Sequence, residues 1–227
     1  MSRSRLIIAI DGPAASGKST TARLVAERLG YVYIDTGAMY RALTVAALRA
    51  GIDPGDQVRM ERLADECVIE LRLDDQRRLR VFLNGRDVSS DIRTPEVTAC
   101  VSRVSSHAGV RRRLVELQRS IGAGGGIVMD GRDIGTVVFP DADVKIFMVA
   151  DIHARAERRK AELHTLGNDV TLAGLASQLE ERDRLDSTRD ISPLRKADDA
   201  VEIDTSSLSI EEQVERVVGL ALERGGE

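Results

Sequence analysis

The stretch that most limits what this chain can become is Ile10–Thr21, IDGPAASGKSTT. Gly12, Gly17, Lys18 and Ser19 fill every fixed position of the pattern G-x-x-x-x-G-K-[ST]. The spacing has a mechanical cause. Glycines let the backbone curl until successive N–H groups point inward and form an anion nest. Lys18 adds a point charge for outer phosphates, the Ser19 hydroxyl can hold Mg²⁺, and a helix starting near Gly17 aims its positive end into the nest. The flanks agree. Leu6–Ile10 is an unbroken apolar run, as in a parallel strand buried on both faces. Ala22, Val25, Ala26 and Leu29 recur at helical spacing until Gly30 stops them. Strand, glycine loop and helix in this order predict a polyphosphate cradle made of Gly12, Pro13, Ala14, Ala15, Ser16, Gly17, Lys18, Ser19 and Thr20.

A length of 227 residues is enough for one sizeable core with an insertion, and 42% hydrophobic with 31% charged residues is a globular balance. A net charge of −4 argues against nonspecific nucleic-acid binding. With no Trp, three Tyr and three Phe, a base-stacking platform is not expected. Cys67 and Cys100 form neither a disulfide framework nor a metal spacing. The apolar part of MSRSRLIIAID is too short for a signal peptide, and no apolar run nears the ~20 residues of a membrane helix. A cytoplasmic protein without membrane contact is expected. His107, His153 and His164 are scattered and receive no role.

Five segments end in Asp: Leu6–Asp11, Tyr31–Asp35, Ile127–Asp130, Val144–Asp151 and Ala200–Asp204. Helical patterns lie between most of them, which predicts a five-stranded parallel sheet with helices on both faces, an α/β core of three layers. Ligands of such sheets sit outside the carboxyl ends of the strands, where these acids stand. One or two of them can be helix caps, Asp204 before Thr205–Ser206 being the clearest. From about Gly51 to Gly126 the alternation breaks. Cys67–Leu73 and Arg80–Leu83, with turns at Asp74-Asp75-Gln76 and Asn84-Gly85, predict an antiparallel meander. Two helices follow, one opened by Thr94-Pro95, the other carrying Val110, Leu114, Leu117 and Ile121. The expected division is a core of residues 1–50 and 127–227 with an inserted subdomain at 51–126, hinged at its glycine borders.

Charge collects at the carboxyl edge. DTGAMYRA presents Thr36 and Arg41, either as a polar site or as an ordinary helix start with a surface arginine. Asp130, Arg132 and Asp133 crowd the end of the third strand, as an anion site or as structural ion pairs, and Asp130 can position Mg²⁺ through water. In HARAERRKAEL, Arg155, Arg158 and Arg159 fall within about one turn. They form either a solvated face paired with Glu157 and Glu162 or a lid, about 152–170, that closes over phosphates. Leu175, Leu179, Arg182, Asp186 and Arg189 share one helical face that turns from apolar to charged, while Arg184 points away. That face either lines a polar cavity or runs out into solvent. Pro193 is expected to end the segment, and Ile210, Val214, Val217 and Ala221 mark a last amphipathic helix.

A guanine-reading N-K-x-D is absent, and Asp130 is followed by Gly-Arg-Asp rather than D-x-x-G, which excludes a GTP switch. Arginines suit a second phosphate better than lysines do. Two phosphate sites at one sheet edge mean phosphoryl transfer between small molecules, which requires Arg132, Arg182 and Arg189 to lie near Lys18.

IDGPAASGKST, DTGAMYRA, DGRDIGTVVFPDADVKIFM and ERDRLDSTRDISPLRKADDAVEIDT closely resemble the bacterial-type cytidylate kinases, the CMP/dCMP kinases of the nucleoside monophosphate kinase family of P-loop NTPases. The inserted meander resembles that family's enlarged monophosphate-binding domain. The resemblance implies ATP and Mg²⁺, with CMP or dCMP as acceptor; a monomer acting on small molecules is expected. It implies Thr36, Arg111, Asp133 and Arg189 at the cytosine. Ser102, Arg182 and Asp186 would stand at the ribose, and Arg41, Arg132 and Arg182 at the acceptor phosphate. Lys18, Arg132, Arg182 and the lid residue Arg158 would be catalytic, with Ser19 and Asp130 at the metal. A kinase for UMP, AMP or shikimate, or a nucleotide-dependent binding module, are the competing readings.

Overall fold

A computed structural model describes residues 5–76, 78–165 and 170–225. In chain order the elements are β1 (Ile7–Asp11), α1 (Lys18–Leu29), β2 (Val32–Asp35), α2 (Thr36–Arg49) and α3 (Gln57–Glu66). Next come β3 (Ile69–Leu73), β4 (Leu79–Leu83), β5 (Arg86–Asp87), α4 (Pro95–Val104), α5 (Ala108–Gly122) and β6 (Ile127–Gly131). A π turn (Ile134–Val138), β7 (Val144–Val149), α6 (Ile152–Thr165), α7 (Leu172–Thr188), β8 (Val201–Asp204) and α8 (Ile210–Arg224) complete the chain.

The chain divides into two compact units, residues 1–33 with 124–227 and residues 34–123. The first carries the parallel sheet, in the order β2-β6-β1-β7-β8. Ile8 pairs with Val128 on one side and Val144 on the other, and Ile146 pairs with Val201, all in parallel register. Side chains alternate across a strand, and here both faces are dry. Ile8 and Ile10 pack with Val25 of α1 and Val214 and Val217 of α8, while Ala9, on the other face, is equally buried. Two of the strand-ending acids are helix caps. Asp35 accepts from Ala38 N at 3.0 Å, and Asp151 accepts from Ala154 N at 2.9 Å. Asp204 is not a cap; it accepts from Ser206 N and Oγ in a local turn, and α8 is capped instead by Ser209 with Glu212.

The second unit begins at Ile34 rather than at residue 51, because α2 buries Met39, Leu43 and Ala47 in one cluster with Val81 and Leu83 of β4, Val97 and Val101 of α4, and Leu114 of α5. The helix belongs to the core it packs into, not to the strand it follows. β3, β4 and β5 form the antiparallel meander, with Ile69 opposite Leu83 and Leu83 opposite Arg86. Asn84 and Gly85 both have positive φ, 49° and 77°, the two-residue turn that Asn-Gly is suited to make. Helix α3 escaped the sequence reading. Its apolar side is only Met60, Leu63 and Ala64, too brief to register as a period, and Asp56 caps it.

At Gly12 the backbone, with φ 147°, passes so close to β7 that a Cβ would lie 2.1 Å from the Met148 carbonyl oxygen. Gly219, inside α8, has no neighbour within 4 Å of the same position. Gly12→Ala is therefore expected to destabilise the fold by about 2 kcal/mol or more. Gly219→Ala should stabilise it by about 0.5–1 kcal/mol, the helix-propensity gain. Urea unfolding midpoints of the two variants check both signs.

Candidate active site

The loop between β1 and α1 alternates hand. Gly12, Ala15 and Gly17 have φ of 147°, 61° and 93°, which turns successive N–H groups to one side. Three contacts from distant elements hold it. Thr205, just past β8, donates from Oγ1 to the Ser16 carbonyl at 2.8 Å. Thr21 donates to Gln213 Oε1 of α8 at 2.8 Å. Arg155 of α6 donates to the Ala14 carbonyl at 3.2 Å and to Asp183 of α7 at 2.6 Å. Ala14 itself is buried beneath Ala156, Leu175 and Leu179. Pro13 and Ala15 are partly buried, and Ser19 and Thr20 face solvent at the start of α1.

Lys18 is 5% exposed, with Nζ donating to the Pro13 carbonyl at 2.6 Å. Burial first, then the neighbouring Arg132 and Arg182, push its pKa down to about 7, against the pull of Asp130 and Asp11. Ser19 Oγ donates to Asp130 Oδ2 at 2.7 Å, and the Tyr33 hydroxyl donates to Oδ1 at 2.9 Å. The loop's hydroxyl and the acid of β6 thus form one pair of hard oxygen donors, the donor type that Mg²⁺ takes alongside phosphate and water.

Beyond Asp130 stands a lattice of opposite charges. Arg132 Nε donates to Asp186 Oδ2 at 2.8 Å, and its Nη1 to the Gly131 carbonyl at 3.1 Å. Burial works against the Arg132 charge, but Asp186, Asp130 and Asp183 outweigh it and hold the guanidinium above its usual range. Burial likewise disfavours the Asp186 carboxylate, yet Arg132, Arg182 and Arg189 keep its pKa below the ordinary value. Arg189 Nη2 lies 3.9 Å from Asp133 Oδ1, and its Nε donates to the Ser192 carbonyl at 2.6 Å. The α7 face is thus apolar at Leu175 and Leu179 and charged at Arg182 and Asp186. It does not reach Arg189. The helix ends at Thr188, well before Pro193, and Arg189 is extended, with ψ 141°. Arg184 points away, paired with Glu181.

The three arginines of α6 separate. Arg155 is buried on the loop, Arg159 pairs with Glu162 at 2.6 Å, and Arg158 donates to the hydroxyl and carbonyl of Thr205. The 163–169 stretch continues α6 to Thr165; residues 166–169 lie outside the described residues.

The 34–123 unit holds its own polar group. Thr36 is buried at the first position of α2. Arg41 donates to the Ile92 carbonyl at 3.1 Å and to Thr98 Oγ1 at 2.8 Å, one turn of α4 before the half-buried Ser102. Arg111 donates to the Ser105 carbonyl at 3.1 Å, and its guanidinium lies 5.4 Å from the centre of the Tyr40 ring.

Tyr33, Asp183, Thr205 and Gln213 support this site without having been singled out, and Asp11 and Arg155, read as a strand-ending acid and a lid arginine, hold backbone of the site instead. Two carried a readable signal: Gln213 is a polar residue on the buried stripe of α8, and Asp11 is an acid at the end of a wholly apolar strand. The pairing of Arg155 with Asp183 had none, since neither residue breaks a local pattern.

The state of Lys18 gives a measurable sign. With a folded pKa near 7 it is mostly neutral at pH 8, and an anion in the loop favours the charged form. Binding must then take up a proton, and affinity must fall as pH rises through 7. Titration calorimetry of sulfate, an anion with no titrating proton near pH 8, in buffers of different ionisation enthalpy, is expected to show uptake approaching about one proton per anion bound at the loop. Lys18→Met should abolish it.

The chain matches the family model described as "Cytidylate kinase" over residues 8–223. A protein named cytidylate kinase from Bacillus anthracis is 53% identical over 218 residues, covering 96% of each chain. Another of that name, from Bacillus thuringiensis, is 53% identical over 216 residues, covering 95% of this chain and 96% of its own. Among solved structures, shikimate kinase from Acinetobacter baumannii in complex with shikimate superposes with TM-score 0.50 at 13% identity, covering 97% of this chain and 95% of that one, a likeness of fold alone. A family model matched over nearly the full length, with relatives above half identity across the same span, places this chain in the cytidylate kinase family.

Proposed function

We propose that this protein transfers the γ-phosphoryl group of ATP to CMP or dCMP, giving ADP and CDP or dCDP. One observation carries the chemistry. Lys18, buried in a phosphate loop, shares its electrostatic surroundings with two arginines on other elements, Arg132 after β6 and Arg182 on α7. Cations gathered from three segments around one buried point suit a polyanionic ligand, and a transferring phosphoryl group is such a charge.

On this reading Gly12 to Thr20 bind the donor phosphates. An oxygen of the acceptor phosphate attacks the γ-phosphorus in line as the bond to the β-phosphate oxygen breaks. Lys18, Arg132, Arg182 and the lid residue Arg158 spread the charge that develops. Arg41, Arg132 and Arg182 hold the acceptor phosphate, Ser102, Arg182 and Asp186 its ribose. Thr36, Arg111, Asp133 and Arg189 read the cytosine, whose exocyclic amine suits a carboxylate and whose acceptors suit arginine. Ser19 and Asp130, the latter through water, would hold Mg²⁺, which when bound shields charge on the phosphates. The inserted subdomain and the α6 lid exclude water that would otherwise hydrolyse ATP. The protein works in the cytoplasm as a monomer on small nucleotides; among the described residues no helix is long and apolar enough to cross a membrane.

A coupled ADP-release assay with CMP, dCMP, UMP, AMP and shikimate decides the acceptor. Turnover with CMP and dCMP well above the others is expected. Preference for another acceptor, or ATP binding without ADP formation, refutes the proposal. Lys18→Ala should lower kcat by about a hundredfold or more, the scale of one lost electrostatic stabiliser.

Asp186 both faces the proposed ribose and holds Arg132. Asp186→Ala is expected to lower kcat/KM for CMP and dCMP together, by about tenfold or more, and to change their ratio. Steady-state kinetics with both acceptors checks this; a common fall at constant ratio leaves Asp186 only its hold on Arg132.

A further inference from the structure

The carboxylate of Asp11 has no part in the reading above. It closes β1 directly before Gly12 and is 5% exposed. Its oxygens each accept one backbone N–H, Oδ1 from Ile134 and Oδ2 from Gly135, both at 2.8 Å. Those two N–H groups open the π turn that follows Arg132 and Asp133. The first N–H groups of a helical turn have no partner within it and are ordinarily taken by the side chain at the cap position. Here that position is Asp133, a residue type that caps well, yet its side chain makes no cap bond to the turn. Its Oδ1 lies 3.9 Å from Arg189 Nη2 instead. The cap is supplied by a carboxylate on another strand, 123 residues from Ile134 along the chain.

We infer that Asp11 is a positioning residue for the acceptor: by capping the turn from β1 it leaves the Asp133 carboxylate to face Arg189, and it fixes Arg132 and Asp133 in register with the loop that starts at Gly12. The inference rests on the proposed acceptor-binding roles of Arg132 and Asp133. The surroundings of the turn are built to match. A Cβ at Gly135 would stand 3.5 Å from Asp11 Oδ2 and 3.3 Å from the Lys145 stem, so the chain has little room to move off the carboxylate. Lys145 in turn is tied to the Pro140 carbonyl and, at 2.7 Å, to Asp199. The turn is therefore held by β1, the strand that leads into the phosphate loop, and packed against Lys145 of the neighbouring β7.

Asp11→Asn keeps the shape but offers one acceptor and one NH₂ to two N–H donors, so the turn must move. We expect KM for CMP to rise about tenfold or more, since small displacements of positioning groups are costly. KM for ATP should stay within about threefold, and discrimination of CMP over UMP should fall. If Asp11 acts through Asp133, the double variant with Asp133→Asn costs little more than either alone. Unchanged CMP kinetics in Asp11→Asn overturn the inference when Asp133→Asn raises KM for CMP, and so does full additivity. A lowered melting temperature with both KM values unmoved, the mark of a merely structural role, overturns it too. If Asp133→Asn is itself silent, the acceptor role of Asp133 has failed and the inference falls with it, a result distinct from the preceding ones. Should Asp11→Asn not fold, Asp11→Ser, with one hydroxyl acceptor and no charge, carries the same expectation for KM.

Discussion

Burying cations at the carboxyl edge of a dry parallel sheet is costly, and much of the catalytic half of this protein is arranged around that cost. Lys18, Arg132, Arg155 and Arg189 lose most of their water, and a buried charge without a partner is worth several kcal/mol of destabilisation. Acids answer them from other strands and helices. Asp186 takes Arg132, Asp183 takes Arg155, Asp133 faces Arg189, and Asp130 lies near both Lys18 and Arg132. At Lys18 burial, with Arg132 and Arg182 beside it, outweighs the pull of Asp130 and Asp11 and lowers the pKa. An anion lying along the loop would favour the charged form of that lysine.

The same contacts make the phosphate loop a junction rather than an isolated turn. Its carbonyls and its helix are held by Thr205 after β8, by Arg155 of α6 and by Gln213 of α8. Each anchor is itself fixed by a second bond: Thr205 by Arg158, Arg155 by Asp183, Gln213 by the Leu208 carbonyl. A loop whose Ala15 sits at positive φ stores strain, and strain persists only where the surroundings over-determine it. Helices α6 and α7 therefore do two things at once. Their apolar residues cover Ala14, and the charged end of α7 supplies Arg182 and Asp186.

Several site residues are legible because chemistry breaks local rules. A glycine pair at fixed spacing before Lys18, three charges in four residues after a buried strand, and an apolar stripe turning charged on α7 all contradict what packing alone would choose. The fold is legible for the opposite reason: five strands and the helices between them obey their periods closely. What escaped were features whose meaning lies in a partner far along the chain. Arg155 reads as one of three equivalent lid arginines until Asp183 and the Ala14 carbonyl take it inward, while Arg158 goes to Thr205 and Arg159 to Glu162. Arg189 reads as the next step of a helical face, but the helix stops at Thr188 and the Ser192 carbonyl holds it from an extended segment.

By itself the sequence determined the local conformations and the class of chemistry. Periodicity, glycine spacing and the choice of arginine beside acid are properties of short stretches, and short-range sterics and hydration decide them. The tertiary structure alone decided which charges neutralise which, to which core α2 belongs, and that the turn after β6 is capped by Asp11 rather than by its neighbour Asp133. Those outcomes depend on strand order, which sets β1 between β6 and β7, and electrostatic energy falls with distance in space, not along the chain.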